Sequence, residues 1–217
     1  MTDQEQGRLI TIEGGEGVGK SLFSGMLLQE LRRLNISVNP TREPGGTGLA
    51  EKIRALFGQT DRHESMHPET ELMLISAARS QHVREVLNPG LARGDWYVCD
   101  RFADSSRVYQ GLVGGLDMEM IERVCDLVTD GLSPDLTFVL DCPVEISMAR
   151  VHKRSDGPDE IGRYDHAHLD THRIIRDGYL SIARRFPQRI VVLDASRPVE
   201  KTFDEAVGIL KKRFHIG

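Results

Sequence analysis

Residues 14–21 read Gly14-Gly15-Glu16-Gly17-Val18-Gly19-Lys20-Ser21, and the apolar run Leu9-Ile10-Thr11-Ile12 precedes them. The spacing is glycine, four residues, then Gly-Lys-Ser, in the order strand, glycine loop, helix. Glycines let the backbone curl so that successive N–H groups point inward, and a helix beginning near Gly19 aims its positive dipole end at the same place. Such a loop suits a polyphosphate. Lys20 adds a full charge for the outer phosphates, and the Ser21 hydroxyl can ligate the magnesium that travels with them. The loop implies a nucleoside triphosphate and leaves open what is done with it.

Outward from this loop, strand and helix patterns alternate along the whole chain, the signature of an α/β fold: a five-stranded parallel sheet with helices on both faces. At 217 residues, residues 1–217 form one domain, with neither an internal repeat nor a linker. The formal charge of −5 disfavours a protein that coats nucleic acid. Cys99, Cys125 and Cys142 are odd in number and widely spaced, which argues against a disulfide framework and a zinc site and fits a reducing cytosol. Met1 to Arg8 is polar and no apolar run has membrane-spanning length, so the expectation is a soluble, cytoplasmic protein with no membrane partner.

After the loop, Phe23, Leu27, Leu31 and Leu34 mark a helix ended by Asn35, and Ile36 to Asn39 reads as a second strand. In the run from Thr41 to Arg54, Pro44, Gly45 and Gly46 make a turn and Leu49, Ile53 and Leu56 a short helix. By composition, Arg42, Glu43 and Arg54 read as a solvated charged surface. Leu72, Ile75, Arg79, His82 and Val86 stripe a long helix from Pro68 to about Leu91; Arg79, among apolar neighbours, either snorkels to solvent or reaches into a ligand pocket. Trp96 to Cys99 is a strand ending in Asp100-Arg101, where open parallel sheets gather ligands. Ser105, Ser106, Tyr109 and Gln110 follow, neutral hydrogen-bonding groups suited to a base. Later elements are a helix from Met118 to Thr129, a strand from Leu136 to Leu140, a helix opened by Pro143, a helix from Asp165 to Arg185, a strand from Arg189 to Leu193 and a helix from Val199 to Phe214. Between two of these helices, residues of about 152–164 combine Gly, Pro and mixed charge, and read as a mobile lid carrying Arg154 and Arg163.

Separated stretches then combine. Residues 12–21 (IEGGEGVGKS), 41–47 (TREPGGT), 77–82 (AARSQH) and 100–111 (DRFADSSRVYQG), with 134–141 (PDLTFVLD) and 193–196 (LDAS), resemble the bacterial thymidylate kinases, which are phosphate-loop nucleoside monophosphate kinases. The resemblance implies transfer of the ATP γ-phosphoryl group to dTMP with magnesium, in a homodimer. It implies that Arg101, helped by Arg42 or Arg54, holds the acceptor phosphate, and that Arg79, Ser106 and Gln110 read the base. Glu43 and Tyr109 would lie along sugar and phosphate. Glu16 would sit near the 3′-hydroxyl and the metal, with Asp100 and Ser21 as metal partners, and Arg150 with Ala195 to Pro198, Arg197 among them, would cover adenine. Gly15, Glu16, Gly17 and Val18 include no basic residue, so Arg154 and Arg163 are expected to neutralise the transferring phosphate.

One position departs from the pattern. Ile75 stands where the family usually places a phenylalanine against thymine, so relaxed base discrimination is expected, unless Phe57 supplies a ring. Two rival readings stay open: a kinase for another nucleoside monophosphate or a deoxynucleoside, and an ATP-dependent switch that transfers no phosphate.

Overall fold

The computed structural model describes residues 7–58, 65–155, 164 and 167–217, with the side chains of Arg154 and Ser155 outside that description. Short runs, apolar in all but the second, form β1 (Leu9–Glu13), β2 (Val38–Arg42), β3 (Trp96–Asp100), β4 (Leu136–Asp141) and β5 (Ile190–Asp194), all parallel in the order β2-β3-β1-β4-β5. β1 is buried along its length, as a central strand covered on both faces must be. Successive residues of a strand point to opposite faces, which divides the core in two. Ile10 and Ile12, with Val98, Phe138 and Leu193, pack under α1 (Lys20–Arg33) and α9 (Val199–Phe214). Leu9 and Cys99 face α3 (Pro68–His82) and α6 (Met118–Thr129), while Val139 packs on α8 (Leu169–Arg185).

The remaining described helices are α2 (Gly48–Gly58), α4 (Asn88–Ala92), α5 (Ala103–Ser106), which continues into a π-helical segment at Arg107–Val113, and α7 (Val144–Ser155). No described helix is long and apolar enough to cross a membrane. Register sets Ile12 and Arg42 beside Asp100, Glu13 beside Val139, and Asp141 beside Asp194. The carboxyl ends of the strands therefore place Glu13, Arg42, Asp100, Asp141 and Asp194 along one edge of the sheet.

Several boundaries differ from the sequence reading. The second strand lies at Val38–Arg42 rather than 36–39, because it is set by pairing with β3; Pro40 is tolerated since β2 is an edge strand. The long helix is α3 followed by a π-helical turn at Val83–Leu87 and then α4, an arrangement that admits Pro89 near the start of the last segment. α8 begins at Leu169, not Asp165, where the His168 ring accepts the Asp170 N–H at 3.4 Å. Asn35 does terminate α1, just past its C-cap at φ 57°, the left-handed conformation asparagine accommodates.

Candidate active site

The glycine loop is pressed against β4 and α7. A Cβ on Gly14 (φ +138°) would lie 2.7 Å from the Leu140 carbonyl oxygen, and one on Gly17 (φ +70°) only 2.1 Å from that of Ser147. Val18 anchors the loop in the core, while Ser21 is exposed on the first turn of α1. Lys20 folds back so that Nζ donates to the carbonyls of Gly14 (3.1 Å) and Gly15 (2.6 Å). Its burial and the neighbouring Arg101 charge pull its pKa down to about 8, against the pull of Asp100, Glu16 and Glu13.

At the end of β3, Arg101 takes the left-handed conformation at φ 67°, strained for a non-glycine residue and of a kind that concentrates at functional sites. Its Nη1 donates to the hydroxyls of Tyr179 (2.9 Å) and Ser105 (3.2 Å), and its Nη2 reaches Glu16 Oε1 at 3.3 Å. The guanidinium stacks on Tyr109, whose hydroxyl donates to the same Glu16 oxygen at 2.6 Å. Burial would raise the pKa of Glu16, but His172, Arg101, Lys20 and Tyr109 together hold it down at about 2. Arg101, Glu16, Lys20 and Tyr109 are thus one cluster. Among the described residues, Asp100 Oδ1 is buried with no hydrogen-bond partner.

Beside this cluster lies a second polar layer. Arg79 is buried: its Nε donates to Glu43 Oε2 at 2.6 Å, Nη1 to Ser106 Oγ at 3.0 Å, and Nη2 to the Phe102 carbonyl at 3.1 Å. Glu43 also contacts His82 Nδ1 at 3.0 Å, and Gln110 Nε2 donates to Glu71 at 3.0 Å. Glu43 is therefore no solvated surface charge; the sheet edge and α3 enclose it because two basic partners face it. Arg42 is exposed and paired with Glu51, and the half-buried Arg54 donates to the Pro44 carbonyl at 3.0 Å. Ile75 is half-buried on α3, as is Phe57 on α2.

On the far side of the loop, Arg150 Nη1 donates to the Ala195 carbonyl at 3.1 Å, joining two residues expected around adenine. Arg197 turns instead to Glu205, at 2.6 Å, and Asp194. Arg154 lies in the last turn of α7 with its side chain outside the described residues, where Arg163 also falls.

Four residues absent from the sequence reading belong to the site. Glu13 Oε1 accepts the Phe102 N–H at 2.7 Å, and Oε2 accepts the hydroxyls of Ser105 (2.7 Å) and Tyr179 (3.0 Å). Complete burial, and then the nearby Asp104, push its pKa up to about 7 despite Arg101 and these hydrogen bonds. Its signal was present: a carboxylate ending an apolar strand directly before the glycine loop. On α8, His172, Arg176 and Tyr179 share one helical face; His172 Nδ1 lies 3.5 Å from Glu16, and Arg176 grips Asp141 at 2.6 and 2.9 Å.

Comparison with known proteins agrees with this geometry. The family model described as thymidylate kinase matches residues 12–206. A thymidylate kinase of Methylococcus capsulatus is 47% identical over 193 residues, covering 89% of each chain. One from Desulfosudis oleivorans is 41% identical over 206 residues, covering 94% of this chain and 96% of the relative. The crystal structure of thymidylate kinase from Ehrlichia chaffeensis superposes with a TM-score of 0.75 at 30% identity, covering 94% of this chain and 99% of that one. A phosphate loop seated against the cation at the end of β3, with a family match spanning nearly all of the chain, makes this protein a member of the thymidylate kinase family.

Proposed function

We infer that this chain transfers the γ-phosphoryl group of ATP to dTMP, giving dTDP and ADP. The observation that carries this reading is the contact of Arg101 with Glu16, which ties the cation at the end of β3 to the triphosphate loop, so that two phosphate sites adjoin. An oxygen of the dTMP phosphate forms the new bond to the γ-phosphorus as the bond to the β-phosphate oxygen breaks and ADP departs. Such a reaction asks a protein mainly for alignment and charge neutralisation. Lys20 serves the ATP side and Arg101 the acceptor side, with Arg42, in register with Asp100, and Arg54 as its helpers. Arg79, fixed by Glu43, presents with Ser106 and Gln110 a rigid polar wall to the base, and Ile75 an aliphatic one. Tyr109 and Glu16 lie where the sugar would meet the loop, and Arg150 with Ala195 and Arg197 where adenine would.

Magnesium fits the residues present. Asp100 offers a buried oxygen without a protein donor and Ser21 an exposed hydroxyl at the start of α1, and these two would hold the ion. When bound, it neutralises charge on the β- and γ-phosphates. Arg154, in the last turn of α7 rather than in a loop, and Arg163, on the expected lid, supply the remaining cation; Arg154→Ala or Arg163→Ala lowers kcat more than it raises the KM for ATP. Exposed Leu49, Leu56, Met73 and Leu127 on α2, α3 and α6 form the face through which two copies associate, and light scattering would read a mass near twice that of the chain.

The test is ADP release from ATP with dTMP, dUMP, dGMP or no acceptor. dTMP should stimulate release and give the highest kcat/KM. Slow hydrolysis indifferent to any acceptor would instead select the switch reading, and equal kcat/KM for all three would end the thymidylate assignment.

A further inference from the structure

Arg101 joins the glycine loop to α8, through Glu16 and Tyr179. A guanidinium has a fixed fork of five N–H donors, so where its free edge points depends on what holds the others. Here Nη1 is occupied by the hydroxyls of Tyr179 and Ser105, and Nη2 meets Glu16. The Nε–H makes no hydrogen bond to the described residues, although the side chain is only 21% exposed. That N–H and the second one on Nη2 are what remain for a phosphate oxygen.

The two hydroxyls are not free to turn. The Ser105 and Tyr179 oxygens lie 2.7 and 3.0 Å from Glu13 Oε2 and 2.8 Å from one another, so their two protons run to Glu13 directly or through the neighbouring hydroxyl. With their protons directed at Glu13, their lone pairs are left for Arg101. The order of donation therefore runs from guanidinium to hydroxyls to carboxylate. Burying a carboxylate completely is costly unless its acceptor capacity is used. Glu13, wholly buried at the end of β1, uses it on the Phe102 N–H and these two hydroxyls, and so also fixes the backbone just after Arg101. Tyr179 is the part of this arrangement that comes from far along the chain. It sits on α8, 1% exposed, with its ring packed among Val108, Tyr109 and Val139.

We propose that Tyr179 is a positioning residue for the acceptor phosphate: its hydroxyl, oriented by Glu13, sets the roll of the Arg101 guanidinium and so aims the Nε edge at that phosphate. Ser105 shares the task over a shorter reach. The proposal rests on the kinase reading given above. It differs from a packing role, because the ring of phenylalanine would fill the same space while leaving Arg101 Nη1 one acceptor short.

The test is steady-state kinetics of full-length Tyr179→Phe with dTMP and ATP varied separately, beside thermal unfolding. The expected result is a KM for dTMP raised roughly tenfold with kcat lowered several-fold, an ATP KM within about twofold of the parent, and a melting temperature nearly unchanged. A double-mutant cycle supplies the second readout: on an Arg101→Ala background, Tyr179→Phe should add less than about twofold. Should Tyr179→Phe fold poorly, Ser105→Ala takes its place in the same cycle. Unchanged dTMP KM and kcat in the single variant, or effects that simply multiply with those of Arg101→Ala, would overturn the proposal. A parent enzyme that shows no dTMP-dependent ADP release would instead reject the kinase reading, so the two failures are distinguishable.

Discussion

Glu43 and Arg79 form an ion pair at 2.6 Å in which the carboxylate side chain is 2% exposed and the guanidinium 1%. Neither charge has solvent to fall back on. Glu43→Ala leaves the guanidinium buried and uncompensated, at a cost of about 3–5 kcal/mol, whereas Ser106→Ala removes one hydrogen bond, worth about 1 kcal/mol. In a chain of this size the first loss corresponds to a fall in Tm of roughly 6–20 °C. Calorimetry that ranked the two variants equally would show the pair to be dispensable.

Lys20 is only partly charged near its pKa of about 8, since burial and Arg101 both oppose its proton. Triphosphate beside it reverses that balance, so binding of ATP at pH 8 takes up protons, while binding at pH 6 does not involve this group. Titration calorimetry in two buffers of different ionisation enthalpy measures the number of protons. The uptake should vanish in Lys20→Ala; an identical count in that variant assigns the protons elsewhere.

Glu13 and Glu16 give stability opposite pH dependences. The folded-state pKa of Glu13 is raised from its ordinary 4.5 to about 7, so the folded protein holds a proton that the unfolded chain releases; this contribution is complete below 4.5 and lost as pH rises through 7. Glu16, lowered from 4.5 to about 2, contributes above 4.5 and loses it as pH falls towards 2. Glu13→Gln should therefore become more stable relative to the parent between pH 5 and pH 8, as read by urea unfolding at both. A flat difference would mean that Glu13 does not titrate in that window.

Ile75, half-buried on α3 one turn before Arg79, presents a branched aliphatic group at the position proposed above to face the base. A base–aromatic contact is worth about 1–3 kcal/mol. Ile75→Phe should lower the KM for dTMP at least roughly fivefold and sharpen the preference over dGMP, with the KM for ATP unchanged. An unaltered ratio of kcat/KM between the two acceptors would place the base away from α3.

The extent of each reading follows from the range of the forces involved. The glycine loop, the alternation of strands and helices and Asp100-Arg101 at the end of β3 follow from patterns within short stretches. Such patterns are repeated by the backbone's own periodicities and by the chemistry of glycine, so the order of residues alone determined them. The boundaries of β2 and α8 did not follow, because pairing with β3 and capping by His168 decide them. Contacts such as Tyr179 with Glu13, 166 residues apart, or Arg79 with Glu43, 36 apart, depend on the strand order β2-β3-β1-β4-β5 and on which helical face meets it. A charged residue reads as solvated until burial and a partner are both known, and only the tertiary structure supplied those for Glu13 and Glu43, because water is excluded by elements distant in the chain.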